Sequence, residues 1–211
     1  MSKLAVDVVL LPPEEIVELA IGLNKTFVKE AEDEFTLNKK DFLPHITLAM
    51  GLMEEARKDA ILERLSRVAQ EVQPLHLALT GARAGSPRLD ARKMSGLEIE
   101  KTPELQLLHE RVLSEVISLC TYAGVTKSMF YPGTESVSEY WLTGKVQTNV
   151  REKYHPHITL GFGAVPEIKK PITFTASRLA LCHLGIHCTC RKALASFELG
   201  AKKSGFPLSR E

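Results

Sequence analysis

The pentapeptide Pro-His-Ile-Thr-Leu occurs twice in this chain of 211 residues, at 44–48 and again at 156–160. Successive side chains of a β-strand point to opposite faces, so the histidine and threonine of each copy lie on one face. The isoleucine and leucine of each copy point to the other face and can anchor the strand in a core. The repeat therefore predicts two strands that each present an imidazole and a hydroxyl on one surface.

The two copies belong to a larger duplication of strand, helix and His-Ile-Thr strand, over 4–50 and 94–162. Apolar periodicity predicts a first strand at 4–11, which Asp7 alone interrupts, and a helix from 14 to about 30. The other predicted elements are a helix over 60–72, a helix from 103 capped by Thr102, and strands at 75–79, 94–100, 177–184 and 189–199.

Opposite charges nearly balance, with 27 Lys and Arg against 26 Asp and Glu and a formal net charge of +1. Such a surface lacks the broad basic potential that binds duplex nucleic acid or anionic membranes. No apolar run reaches the roughly 18 residues of a membrane helix, and the apolar start lacks the cleavage pattern of a signal peptide. We therefore expect a soluble, monomeric, cytoplasmic protein with reduced cysteines.

Two opposed imidazoles suit in-line displacement at phosphorus, if the duplicated lobes face each other. A neutral histidine accepts a proton from the attacking water or hydroxyl, and a protonated histidine donates one to the leaving oxygen. An unperturbed pKa near 6.5 allows both roles near neutral pH. Threonine hydroxyls beside them can hydrogen-bond the nonbridging phosphate oxygens, and this scheme requires no metal or other cofactor.

At these residues the chain resembles the two-histidine (2H) phosphoesterase superfamily, which includes the bacterial RNA 2',3'-cyclic phosphodiesterases historically called 2'-5' RNA ligases. The family signature of two His-x-Thr/Ser motifs on apolar strands matches 45–47 and 157–159, and 154–160 is similar to the second motif of the bacterial branch. The resemblance implies an α+β fold of two lobes with pseudo-twofold symmetry around a central cleft. It also implies metal-independent cleavage of 2',3'-cyclic phosphates or 2'-5' linkages.

By this resemblance His45 and His157 are the general acid and base, and Thr47 and Thr159 hold the phosphate. Which histidine is the acid depends on which ribose oxygen leaves. The expected partner is a small nucleotide or an RNA end.

The duplication indicates a single bilobal domain at 1–200, followed by a basic tail at 201–211. Lobe one covers about 1–93 and lobe two about 94–200, with strands allowed to pass between them. The second repeat is longer than the first, so part of 125–154 is interpreted as a loop or hairpin beside the cleft.

Several other residues are candidate substrate ligands. The basic stretch 83–93 is interpreted as a loop in which Arg83 and Arg88 can contact an anionic ligand. Tyr131 and Tyr154, each near a proline, are candidates for stacking on a nucleobase. His155 precedes the second motif and is a weaker candidate ligand.

Two alternatives differ in class from the phosphodiesterase. One is a noncatalytic nucleotide or RNA-end binding module that keeps the same cleft. The other is a metal-dependent hydrolase that uses Cys182, His187 and one or both of Cys188 and Cys190. Strand alternation would send neighbouring members of that segment to opposite faces, which favours buried thiols over a zinc site.

Overall fold

A computed structural model describes residues 2–27, 35–87, 93–132 and 154–201. In these residues eight strands form one curled antiparallel sheet with three α-helices packed on it. The strands are β1 (Lys3–Leu11), β2 (Ile46–Glu54), β3 (Leu75–Pro87), β4 (Lys93–Ile99), β5 (His157–Phe162), β6 (Ile172–Ala176), β7 (Arg178–Leu184) and β8 (Cys190–Glu198). The helices are α1 (Glu14–Lys25), α2 (Lys58–Glu71) and α3 (Pro103–Glu115).

The sheet places the two repeated pentapeptides side by side. Its strand order is β6-β3-β4-β5-β2-β1-β7-β8, so β2 and β5 lie next to each other at the centre. Ile46 of β2 pairs with Ile158 of β5. On either side of this pair β1 flanks β2 and β4 flanks β5, so the two halves repeat the same arrangement. The predicted α+β fold with pseudo-twofold symmetry is confirmed.

Each half of the sheet contains strands from both halves of the chain. β3 follows the first motif in sequence, but it pairs with β4 and β6 on the side of the second motif. The β7–β8 hairpin closes the chain and pairs with β1 on the side of the first motif. Long-range pairing between the two chain halves therefore holds the sheet together.

Both pentapeptides show the alternation that the sequence predicts. In each copy the proline, isoleucine and leucine are buried, whereas the histidine and threonine are partly exposed. The buried Ile and Leu side chains join the large core between sheet and helices, which also contains Leu65 of α2 and Leu108 of α3. This core fixes the strands from behind, so that each histidine and threonine faces away from it.

Two predicted element boundaries are corrected by the structure, and one strand is added. The stretch 83–93 is not simply a loop, because β3 continues to Pro87 and β4 begins at Lys93, with Arg83 paired to Gly96. α1 ends at Lys25 instead of near Glu30. The edge strand β6 was not predicted, since its alternation is short and half exposed. The helix start at Pro103 is confirmed, and Thr102 Oγ1 accepts a hydrogen bond from Leu105 N at 3.2 Å.

The expectation that all cysteines are reduced is wrong for one pair. Cys182 of β7 and Cys190 of β8 form a disulfide, with their Cα atoms 5.6 Å apart. The two cysteines lie on adjacent antiparallel strands and share one apolar cluster with Val9 and Ala180. Alternation along one strand does not separate two residues that lie on adjacent strands, where Cys182 is paired with Ala193 and Cys190 with Leu184. Cys120 and Cys188 are not part of this disulfide.

Candidate active site

The two motif histidines have the same local geometry. His45 Nδ1 lies 2.7 Å from the carbonyl oxygen of Leu43, and His157 Nδ1 lies 2.8 Å from the carbonyl oxygen of His155. A carbonyl only accepts hydrogen bonds, so Nδ1 carries the proton of each neutral ring and donates it. Nε2 is then the basic nitrogen of both imidazoles, which is the atom that proton transfer requires.

Burial keeps both imidazoles neutral in the absence of an anion. Burial is the main cause that lowers the pKa of His45 to about 4; the charge of His157 acts in the same direction, and the hydrogen bond with the Leu43 carbonyl opposes it. Burial also lowers the pKa of His157, with smaller effects from the charges of Arg83, His155 and Glu98. The effect of His157 on His45 is in line with the adjacent positions of strands β2 and β5 in the sheet.

Thr47 is hydrogen-bonded to a carboxyl group that lies outside both sequence motifs. Thr47 Oγ1 lies 2.6 Å from Asp7 Oδ2, and His45 Nε2 lies 3.8 Å from the same oxygen. Asp7 comes from β1, and none of its surface is exposed. Burial raises the pKa of Asp7 well above its usual value, although the hydrogen bond with Thr47 opposes the shift. The signal in the sequence was a single acidic residue inside an otherwise apolar strand.

The second motif has different neighbours. Glu98 of β4 pairs with His157 of β5, and Gly96 pairs with Thr159 on one side and with Arg83 of β3 on the other. Arg83 Nη1 is buried and has no hydrogen-bond partner among the described residues. The charges of Arg83 and Glu98 both act on the pKa of His157. The structure thus brings Arg83 to the second motif, as a strand residue.

Tyr154 supports the site from the core, and this corrects its predicted role. Only 8% of the residue is exposed, and its ring stacks on His109 with 4.0 Å between centroids. Its hydroxyl donates to the carbonyl oxygen of Thr47 at 3.0 Å, and His109 Nδ1 lies 2.6 Å from the carbonyl oxygen of Leu48. A buried ring that already stacks on His109 does not offer a face to a nucleobase.

The other candidate ligands lie in different surroundings. His155 is exposed, and its charge influences the pKa of His157. Tyr131 packs against the outer strands β7 and β8. The centroid of its ring lies 5.6 Å from the centroid of the His183 ring and 4.8 Å from the guanidinium carbon of Arg191. Arg88 and residues 133–153, which include most of the interpreted loop, lie outside the described residues, as does the tail at 202–211.

The segment 182–190 does not have the arrangement that the zinc hypothesis requires. Cys182 and Cys190 are joined to each other, and His187 is buried with its ring 5.2 Å from that of Phe162. In the part of the chain that the structure describes, no group of three or more His, Cys, Asp or Glu side chains is placed to hold a metal ion. None of the described helices has the length and hydropathy needed to cross a membrane.

Two adjacent strands with paired His-x-Thr motifs, in a duplicated α+β fold, define a two-histidine phosphoesterase. The family model of the 2'-5' RNA ligase superfamily matches residues 25–184, about three quarters of the chain, and the protein belongs to this superfamily. No curated protein matches the chain significantly in sequence.

Solved structures of distant sequence share the fold. TT0787 of Thermus thermophilus is 17% identical, with a TM-score of 0.63 over 95% of this chain and 100% of its own. Escherichia coli LigT complexed with 3'-AMP is 18% identical, with a TM-score of 0.60 over the same shares of the two chains. LigT has also been solved with phosphate, at 19% identity and a TM-score of 0.55. At these identities the likeness shows the fold alone.

Proposed function

We propose that the protein is a metal-independent phosphodiesterase that opens nucleoside or oligonucleotide 2',3'-cyclic phosphates or cleaves 2'-5' linkages. The observation that carries this proposal is the pairing of Ile46 with Ile158, which sets the two histidines on neighbouring central strands. Each histidine has its Nδ1 hydrogen occupied by a backbone carbonyl. In this proposal the two basic Nε2 atoms transfer protons in one displacement at a single phosphorus atom.

In the proposed reaction one imidazole accepts a proton from water as the water oxygen bonds to phosphorus. The other imidazole, in its protonated form, donates a proton to the ribose oxygen as the P–O bond breaks. Both histidines have lowered pKa values in the free protein, so the acid must gain its proton with the substrate. The negative charge of a bound phosphodiester favours this protonation, because an opposite charge nearby raises the pKa of an imidazole.

Thr47, Thr159 and Arg83 complete the proposed phosphate site. The threonine hydroxyls stand two residues after each histidine and are partly exposed. Arg83 reaches the level of Thr159 through Gly96, and its unpartnered Nη1 is a charge-assisted donor for a nonbridging oxygen. Arg83 supplies a local positive charge for one phosphate, whereas the net charge of the protein is only +1. A single local charge favours small or terminal phosphodiesters over duplexes, which are bound through many phosphate contacts. The complexes of LigT with 3'-AMP and ATP support a nucleotide ligand for this fold.

The test is turnover of a panel that contains 2',3'-cyclic mononucleotides, 2'-5' oligoadenylate and RNA with cyclic-phosphate ends. We expect hydrolysis of at least one member in the presence of EDTA, and a loss of at least about 10²-fold in kcat for His45→Ala and for His157→Ala. The exposed His76, whose Nδ1 contacts Thr175 Oγ1 on the edge strand, provides the control variant His76→Ala.

Arg83→Ala should weaken the binding of 3'-AMP about tenfold, because a charged donor to the phosphate is removed. Retention of full activity by either motif variant would contradict the mechanism. Binding of 3'-AMP without turnover of any substrate would instead identify a noncatalytic binding module with the same cleft.

A further inference from the structure

Asp7 is a buried acid beside the first motif. None of its surface is exposed, and its flanking residues Val6 and Val8 belong to the main core. Its Oδ2 atom is 2.6 Å from Thr47 Oγ1, whereas its Oδ1 atom contacts no hydrogen-bond donor of the described residues. A carboxyl group in this setting needs a specific reason to be there, because an apolar side chain would fill the strand at lower cost.

The neighbours of Asp7 on the flanking strands provide no permanent positive charge. Asp7 pairs with Met50 on the neighbouring strand β2. On the opposite edge of β1 it pairs with Cys182 of β7, whose sulfur is part of the disulfide. The titratable groups near it are His45, whose Nε2 is 3.8 Å from Oδ2, and Tyr154, whose pKa the charge of Asp7 raises. A buried carboxylate without a cation and with one hydrogen bond is strongly unfavourable, because burial removes its hydration without replacing it. The neutral carboxylic acid is therefore the favoured form, in line with its raised pKa.

The form of Asp7 determines what Thr47 can do, because a hydroxyl has one hydrogen to donate. Beside an ionised carboxylate, Thr47 would donate that hydrogen to Asp7 and could only accept from other groups. Beside a carboxylic acid, Thr47 accepts the hydrogen bond from Asp7 and keeps its own hydrogen. A phosphate oxygen only accepts, so Thr47 can hold the substrate only in the second arrangement.

We propose that Asp7 is a positioning residue that donates its carboxylic hydrogen to Thr47 Oγ1 and thereby directs the hydroxyl hydrogen of Thr47 to a phosphate oxygen beside His45. The inference rests on the proposed function, since it concerns the phosphate of the same site. It adds a residue from outside both motifs to the phosphate-binding arrangement.

Among the described residues, the strand position equivalent to Asp7 in the second half of the site carries no carboxyl. Leu10 pairs with Ile46 in the first half, and Leu97 pairs with Ile158 in the second. Asp7 stands three residues before Leu10 on β1, and Met94 stands three residues before Leu97 on β4. Met94 is therefore the residue equivalent to Asp7. The register irregularities of the two strands fall at corresponding places in this alignment. Thr159 has Arg83 at its level instead. The two halves thus hold phosphate differently, one through an oriented hydroxyl and the other through a charge.

The decisive comparison is between Asp7→Asn and Asp7→Leu, whose side chains have the same number and branching of heavy atoms. The amide of Asn can donate to Thr47 as the carboxylic acid does, so we expect kcat/KM and the affinity for inorganic phosphate to stay within about threefold of wild type. Leu offers no donor, so we expect both to fall about tenfold to a hundredfold, as for loss of one hydrogen bond to a charged group. The double variant Thr47→Val with Asp7→Leu should lose no more kcat/KM and phosphate affinity than Thr47→Val alone, because Asp7 acts through the Thr47 hydroxyl.

An infrared difference spectrum between wild type and Asp7→Asn at neutral pH should show the carbonyl band of a protonated carboxylic acid. The control for removing a polar group from a buried strand is Ser95→Ala, since Ser95 Oγ donates to the carbonyl oxygen of Gly163, four residues after Thr159. We expect this variant to keep wild-type kinetics and phosphate affinity.

Wild-type affinity and kcat/KM in Asp7→Leu would overturn the proposal, as would an infrared band of an ionised carboxylate. Equal losses in the Asn and Leu variants would also overturn it, because Asp7 would then act as an anion. If Asp7→Leu does not fold, the Asn variant and the infrared band decide. Failure of the proposed function has a different signature, which is no turnover by wild type, and phosphate titration then still tests Asp7.

Discussion

At the scale of single residues, Tyr154 connects the core to the backbone of the first motif. Tyr154→Phe removes the hydrogen bond to Thr47 O and keeps the ring stacked on His109. We expect the free energy of unfolding to fall by about 1 kcal/mol and KM to stay unchanged. Tyr154→Ala removes a buried ring and should cost about 3 to 5 kcal/mol. Urea unfolding and steady-state kinetics measure both, and a raised KM with unchanged stability in Tyr154→Phe would show a ligand role instead.

The lowered pKa of His45 makes stability depend on pH. Its value of about 4 lies below the ~6.5 of an unfolded histidine, so the unfolded chain binds more protons between these pH values. The stabilising contribution of neutral His45 is full above about pH 6.5, decreases as pH falls, and is lost by about pH 4. Asp7 acts in the opposite direction, because its raised pKa makes its contribution decline as pH rises from about 4.

A comparison with His45→Gln separates the histidine from Asp7. The stability of wild type relative to this variant should increase by up to about 3 kcal/mol between pH 4 and 6.5, as the shift of the pKa requires. Urea unfolding at a series of pH values measures this difference. Parallel stability curves for the two proteins would contradict the burial of His45.

At the scale of elements, the contact between β4 and β5 depends on a glycine. A Cβ atom at Gly96 would lie 2.7 Å from the carbonyl oxygen of Ile158. Gly96→Ala should therefore push β4 from β5, cost about 1 to 3 kcal/mol and lower kcat by displacing His157 and Thr159. Gly22→Ala in α1 is the matched control, because its Cβ would meet nothing within 4 Å.

The free energy of unfolding of the Gly22→Ala control should increase by about 0.5 to 1 kcal/mol, since alanine is more favourable than glycine inside a helix. Thermal and urea unfolding, with kinetics on the same samples, distinguish the two variants. A stable and fully active Gly96→Ala protein would show that the strands can separate without disturbing the second motif.

Elements with a strong apolar period were predictable, and elements defined by their partners were not. The helix at Pro103 has both a capping threonine and a periodic apolar stripe, and it begins where the sequence places it. The end of β3 carries Arg83 among small and polar residues, which resembles a loop until β4 pairs with it. Pairing of β3 supplies the stability that its own composition does not indicate.

At the scale of the whole molecule, the interleaved strand order predicts that neither half of the chain folds alone. Fragments 1–93 and 94–200 would separate β3 from β4 and β6, and β1 from β7. We expect each fragment alone to unfold without a cooperative transition, whereas the full chain unfolds cooperatively. Circular dichroism and amide NMR spectra of the fragments provide the measurement. Dispersed spectra and a cooperative transition from either fragment would contradict this expectation.

The repeated pentapeptide alone determined the faces of two strands, because side-chain alternation is a local property of an extended backbone. The same motif carried the family resemblance, which implied the duplicated α+β fold and the roles of His45, Thr47, His157 and Thr159. Only the tertiary structure decided that Asp7 contacts Thr47, that Arg83 stands beside the second motif, and that Tyr154 lies in the core. These contacts join residues far apart in sequence through strand order and register, which no local pattern contains.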